Sequence, residues 1–198
     1  MIKMRHIPMK RFFVFIALMI FSSPALFAQL DGGLPKGTVE VFDGFEKGNY
    51  WIWAGFDWDQ YGTVKISTGA NISKDWASEG SHSLEMTMDV MDASSTKSAI
   101  WFYDGTNDLS GSRYLAMDFY NPENYTYQIA VVIQATDSWK WCSLGSYQLP
   151  PGVHTMVFSL SDYTEMLGDV RRISVTSDNS QILMKESHFY VDNIRLIK

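Results

Sequence analysis

Carboxylates, histidines, one thiol and a run of aromatics are the side chains here that could do chemistry. Glu85 and Asp89, in Glu-Met-Thr-Met-Asp, fall on one face of an alternating stretch. Two carboxylates about 5–9.5 Å apart can cleave a glycosidic bond. This pair lacks the third acid that would complete a Glu-x-Asp-x-x-Glu-like pattern, so it reads as the polar side of a strand. There is no Gly-x-Ser-x-Gly, and His82, His154 and His188 show no His-Glu-x-x-His spacing. Cys142 is the single cysteine, which excludes an intramolecular disulfide and suggests a small buried side chain. No enzyme is expected.

The aromatics crowd one stretch. Val39 to Ser67 holds Trp51, Trp53 and Trp58 with five acids, just after a Phe-Glu-Lys-Gly turn. Elsewhere alternation divides each apolar run in two. Leu115, Met117 and Phe119 share one face, opposite Tyr114, Ala116, Asp118 and Tyr120. Ile129, Val131 and Ile133 oppose Gln128, Ala130, Val132 and Gln134, while Ile173 and Val175 oppose Arg172, Ser174 and Thr176. Ile100 and Phe102 are assigned to the core and Trp101 and Tyr103 to the opposite face. Trp139 and Trp141 share a face beside the Asp137-Ser138 turn.

Short strands must position these residues. Ten runs rich in β-branched and aromatic residues are bounded by turn signals such as Asp104-Gly105, Asn121-Pro122 and Pro151-Gly152. They are 39–42, 62–67, 83–89, 99–103, 114–120, 128–136, 139–147, 154–160, 172–177 and 189–196. No amphipathic helix of ten or more residues stands between them. The expected fold is all-β, a two-sheet antiparallel sandwich of jelly-roll type. A chain of 198 residues, 46% hydrophobic and 19% charged, suits one such domain.

The first residues have another reading. Lys3, Arg5, Lys10 and Arg11 precede the apolar run Phe12 to Phe21, and a small-residue region ends at Ala28. Residues 1–28 are expected to be a secretory signal peptide, 29–38 a short leader, and 39–198 the folded module. Without those four basic residues the formal charge falls from −6 to about −10, which disfavours nucleic acid and anionic membranes. The expected localisation is secreted or periplasmic, with no stable membrane insertion after cleavage.

Five short motifs carry a resemblance: Phe42-Asp-Gly-Phe-Glu-Lys-Gly48, Ala77-Ser-Glu-Gly-Ser-His-Ser-Leu84, Leu109-Ser-Gly-Ser-Arg-Tyr-Leu-Ala-Met-Asp118, Leu149-Pro-Pro-Gly152 and Phe189-Tyr-Val-Asp-Asn-Ile-Arg-Leu196. In order and spacing they resemble the jelly-roll, galactose-binding-like carbohydrate-binding modules of glucan-, xylan- and mannan-degrading enzymes. The resemblance implies a structural calcium tying the first strand to the last, through Glu46 and Asp192 with carbonyl oxygens near Gly44 and Ser81. Hard cations take such oxygen ligands. It also implies a sugar cleft on a concave sheet face, flanked by Trp53 and Trp58, where rings stack on sugar C–H faces. On that reading Trp101, Tyr103, Tyr120, Trp139 and Trp141 are the stacking candidates, and Gln128, Gln134, Arg172 and Asp118 the hydroxyl partners. The implied function is non-catalytic binding of a neutral polysaccharide or oligosaccharide. The rival expectation is a structural envelope or sheath protein that uses the same face as a protein interface, with self-association.

Overall fold

The computed structural model describes residues 33–57, 66–90, 97–178 and 186–198. Eleven strands stand among them: β1 (Val39–Asp43), β2 (Trp51–Asp57), β3 (Ile66–Ser73), β4 (Ser83–Val90), β5 (Lys97–Asn107), β6 (Tyr114–Asn121), β7 (Tyr127–Ala135), β8 (Lys140–Leu149), β9 (Gly152–Ser159), β10 (Val170–Asp178) and β11 (Glu186–Ile197). A 3-10 helix over Ser161–Asp169 joins β9 to β10 and buries Leu167. It is the one helical element among the described residues.

The strands form two antiparallel sheets. One runs β3-β4-β11-β6-β9, with β1 also paired to β11, and the other runs β2-β5-β10-β7-β8. Packed face to face, they make the all-β sandwich that the turn spacing predicts. Leu115, Met117 and Phe119 on β6 meet Ile129, Val131, Ile133, Ile173 and Val175 from the opposite sheet, all of them buried. Cys142 is likewise buried in this core, and burial pushes its thiol pKa up.

Two parts of the sequence reading change. β2 is absent from the strands that alternation selects, and β3 runs on to Ser73; residues 58–65 and 91–96 lie outside the described ones. On β5 the faces are reversed. Directly opposed residues of an antiparallel pair share a face. Trp101 pairs with Val175 and Tyr103 with Ile173, so the core residues of β10 carry both aromatics inward. Trp101 is 0% exposed. Its indole N–H donates to the Gly69 carbonyl of β3 at 2.8 Å, across the sandwich, and its ring meets Phe189 edge-on. Ile100 and Phe102 take the outer face instead.

Candidate functional site

The register of the five-stranded sheet builds its outer face row by row. Asp104, Arg172, Gln134 and Trp141 are successive cross-strand partners on β5, β10, β7 and β8. The next row is Ile52, Phe102, Ser174, Val132 and Ser143. One further row toward the other end of β7 stands Ala130 beside Ser146, then Gln128 beside Gln148.

Arg172 is the centre of this face. Its Nε and Nη2 donate to the two oxygens of Asp104 at 2.5 and 2.7 Å, a bidentate pair. Its guanidinium lies 3.7 Å from the centroid of the Phe102 ring and 5.3 Å from that of Trp139. Rings and carboxylate together fix the cation and cancel its charge. Trp139 comes from the turn between β7 and β8, at φ +54°, and its carbonyl accepts from Gln134 Nε2 at 3.3 Å. Trp139 and Trp141 are 44% and 49% exposed and Ile52 47%, so large apolar area faces outward around the fixed arginine. Two buried polar atoms in the same rows, Gln134 Oε1 and Ser174 Oγ, have no hydrogen-bond partner among the described residues. Gln128 donates to Ser146 at 3.0 Å.

The structure thus brings together Trp139, Trp141, Arg172, Gln134 and Gln128, five of the expected ligand-binding residues. It separates the others. Trp101 and Tyr103 are inside the sandwich, for the reason of register given above. Tyr120 and Asp118 lie on the outer side of the other sheet. Trp53 pairs with Trp101 in the backbone register, its side chain lies outside the described residues, and Trp58 lies outside them altogether. Phe102, Asp104 and Ile52 are the face residues that sequence reasoning misses. The complementary charges of Asp104 and Arg172 are the available signal, but they stand 68 positions apart and meet only through the register.

Tyr120 belongs to a second aromatic group. Its ring stacks on Tyr190 with centroids 5.7 Å apart, and Trp76 lies 5.5 Å from Tyr120 and 6.3 Å from Tyr190. Trp76 is part of the loop between β3 and β4, and three carboxylates hold that loop down. Asp192 Oδ2 accepts from the N–H groups of Ser78 and Glu79 at 2.8 and 3.0 Å, and its Oδ1 accepts from the Asn193 N–H at 2.6 Å. Asp118 accepts from Ser78 Oγ at 2.8 Å, Thr155 Oγ1 at 2.7 Å and the Arg195 guanidinium. It is a buried acid engaged by these donors, on the other sheet from the residues it was expected to join.

Glu46 grips the end of the same loop. Its Oε1 accepts from the N–H groups of Ser81 and His82 at 2.7 and 2.8 Å, and its Oε2 from Ser81 Oγ at 3.1 Å. The His82 ring nitrogen Nδ1 lies 3.0 Å from Oε2. The Ser81 N–H, then the His82 ring and N–H, hold the Glu46 pKa down at about 2. Burial instead pushes Asp192 upward against its backbone donors. The two acids expected to bind calcium therefore face hydrogens, and Ser81 meets Glu46 as a donor. Gly44 sits beside Phe45, whose N–H caps Asp43 at 2.9 Å. Among the described residues no group of three or more His, Cys, Asp or Glu could hold a metal. As arranged, the Glu46 and Asp192 oxygens accept from N–H and O–H donors. Glu85 pairs with Tyr190 on the outer side of the six-stranded sheet, and the Asp89 side chain lies outside the described residues.

Solved structures share this architecture. One, of carbohydrate-binding modules from the β-sandwich superfamily with promiscuous specificity, aligns with a TM-score of 0.62 at 14% identity, over 80% of this chain and 62% of that one, so the chain spans less than two thirds of that structure. A family 11 carbohydrate-binding module from Clostridium thermocellum, in complex with a β-1,3-1,4-mixed-linked tetrasaccharide, aligns with a TM-score of 0.58 at 13% identity, over 82% and 97% of the two chains. A family 28 module specific for non-crystalline cellulose aligns with a TM-score of 0.50 at 17% identity, over 83% and 97%. At these identities the likeness establishes the fold. No curated protein matches the sequence. Residues 44–193 match the model of a family described as mannanase, galactose-binding domain-like, and the chain belongs to that family.

Proposed function

We propose that the chain binds a neutral polysaccharide or oligosaccharide, without cleaving it, along the outer face of its five-stranded sheet. The single observation that carries this reading is Arg172, charge-cancelled by Asp104 and wedged between Phe102 and Trp139 beside the exposed Trp141. Sugars present flat C–H faces and neutral hydroxyls. Exposed rings match the first, and a fixed guanidinium whose charge is already compensated matches the second better than it would an anion. Family membership supports the same reading, as do solved neighbours that are carbohydrate-binding modules. The basic and apolar pattern of residues 1–28 supports export to the periplasm or beyond.

Affinity electrophoresis through gels containing glucans, xylans and mannans tests this. One neutral polysaccharide is expected to retard the protein, and Trp141→Ala and Trp139→Ala to abolish most of the retardation while melting as wild type does. Unretarded migration in every gel, with a dimer-sized mass in solution that Trp141→Ala dissociates, would make the face a protein interface.

A further inference from the structure

A different part of the molecule carries a pocket. Where the loop after β1 crosses the end of β5, Phe42, Asp43, Lys47, Tyr50, Tyr103 and Asn107 enclose a pocket of about 280 Å³. Ligand pockets usually occupy about 300–1,000 Å³, so this one suits a single small ring.

Its chemistry is specific. Asp43 Oδ1 accepts from the Phe45 N–H at 2.9 Å and Oδ2 from the Trp51 indole N–H at 3.3 Å. A carboxylate offers about four lone-pair sites, so two remain, one on each oxygen, for a pair of adjacent hydroxyls. Asn107 spends its amide nitrogen on the carbonyls of Gly105 and Val170, at 3.0 and 3.4 Å, which leaves its amide oxygen as an acceptor. Lys47 also lines the pocket and can supply a donor. Phe42 and Tyr103 meet edge-to-face at 5.7 Å and form a fixed apolar wall, while Tyr50 is 66% exposed at the mouth. Adjacent acceptors, one cation and aromatic walls, with no net charge, are the recognition pattern of a neutral polyol ring.

We infer that this pocket binds one pyranose unit, as a free monosaccharide or as the terminal residue of a glycan chain. The site stands apart from the outer face: Tyr103 reaches the pocket from the inner side of β5, whereas Phe102 and Asp104 on either side of it belong to the outer rows.

The test is amide NMR of the full chain, titrated separately with methyl α-mannoside, methyl β-glucoside, methyl β-galactoside, sodium phosphate and methylamine. One glycoside is expected to shift Tyr50 and Asn107 while leaving Trp139 and Trp141 in place. Tyr50→Ala should weaken that binding about tenfold, as removal of a contact ring does, and Lys47→Ala should weaken it too. Both residues are exposed, so neither change threatens folding. An oligosaccharide O-methylated on its terminal ring separates the two sources: loss of binding identifies a chain end, and binding by the free glycosides alone identifies a monosaccharide. Shifts caused only by phosphate or methylamine would overturn the inference, as would glycoside shifts that survive both substitutions or the absence of any glycoside shift at the pocket. Because Trp141→Ala reports on the outer face alone, either site can fail without the other.

Discussion

Trp101 and Phe102 are neighbours with opposite roles, and their exchange of faces is the clearest lesson at the scale of single residues. Alternation says that the two point apart, but it leaves open which points inward. Ranking by apolar character favours Phe102 for the core. The structure favours Trp101, because its N–H finds the Gly69 carbonyl and its ring fills the space beside Phe189. A buried indole with its one donor satisfied has no polar cost to set against its large apolar area. Trp101→Ala is therefore expected to cost roughly 3–5 kcal/mol in urea unfolding. Trp141→Ala, at an exposed position, should change stability by less than about 0.5 kcal/mol and still remove glycan retardation. Phe102→Ala should weaken retardation, because Arg172 loses the ring it rests on, and destabilise less than Trp101→Ala. If Trp101→Ala melts like wild type while Phe102→Ala unfolds, the faces are assigned the wrong way round.

The loop between β3 and β4 is the element on which the short sequence motifs converge. Ser78, Glu79, Ser81 and His82 of one motif are the donors, while Glu46 and Asp192 from two others, with Asp118 from a third, are the acceptors. Gly80 stands between them at φ +67°, where an added Cβ would lie 2.4 Å from Glu46 Oε1, so only glycine lets the carboxylate close on the loop. The motifs were legible in sequence, but their purpose was not, since acids that cap N–H groups and acids that bind cations look alike until the donors are placed. The clasp has a pH signature. Glu46 is held at about 2 against an ordinary 4.5, so its contribution is fully present above pH about 4.5 and is lost as pH falls toward 2. Glu46→Gln is expected to melt below wild type at pH 7 and to expose the Ser81 and His82 amides to faster exchange. The gap in melting midpoint should narrow progressively between pH 4.5 and pH 2. A gap that stays constant across that range would show that the ionised form of Glu46 is not what holds the loop.

At the scale of the whole molecule, the sandwich was legible because turn chemistry and alternation repeat along the chain, and each repeat reports one strand and its two faces. The inward sets on β6, β7 and β10 follow from alternation alone, since every inward member is apolar while the opposite positions mix polar residues with others. What does not follow is which strands lie side by side. The row Asp104, Arg172, Gln134, Trp141 draws on four strands, and no local pattern announces it. The same limit placed Tyr120 and Asp118 with residues that stand on the other sheet. Glu85 stands opposite Tyr190 in the register, and because its acid pattern in the sequence is incomplete, reducing ends should not accumulate when the protein is incubated with a polysaccharide it binds. Accumulation that Glu85→Gln abolishes would overturn that. The metal question is also one of the whole fold, because a calcium bound only by the folded state would raise its stability by RT ln(1 + [L]/Kd). The Glu46 and Asp192 oxygens are engaged by N–H and O–H donors, and a cation would have to displace them and leave backbone N–H groups unsatisfied. The expected outcome is one melting midpoint, the same in millimolar calcium as in chelator. A midpoint that calcium raises and chelator lowers, with the response gone in Glu46→Gln and Asp192→Asn, would show that the clasp opens to take the ion.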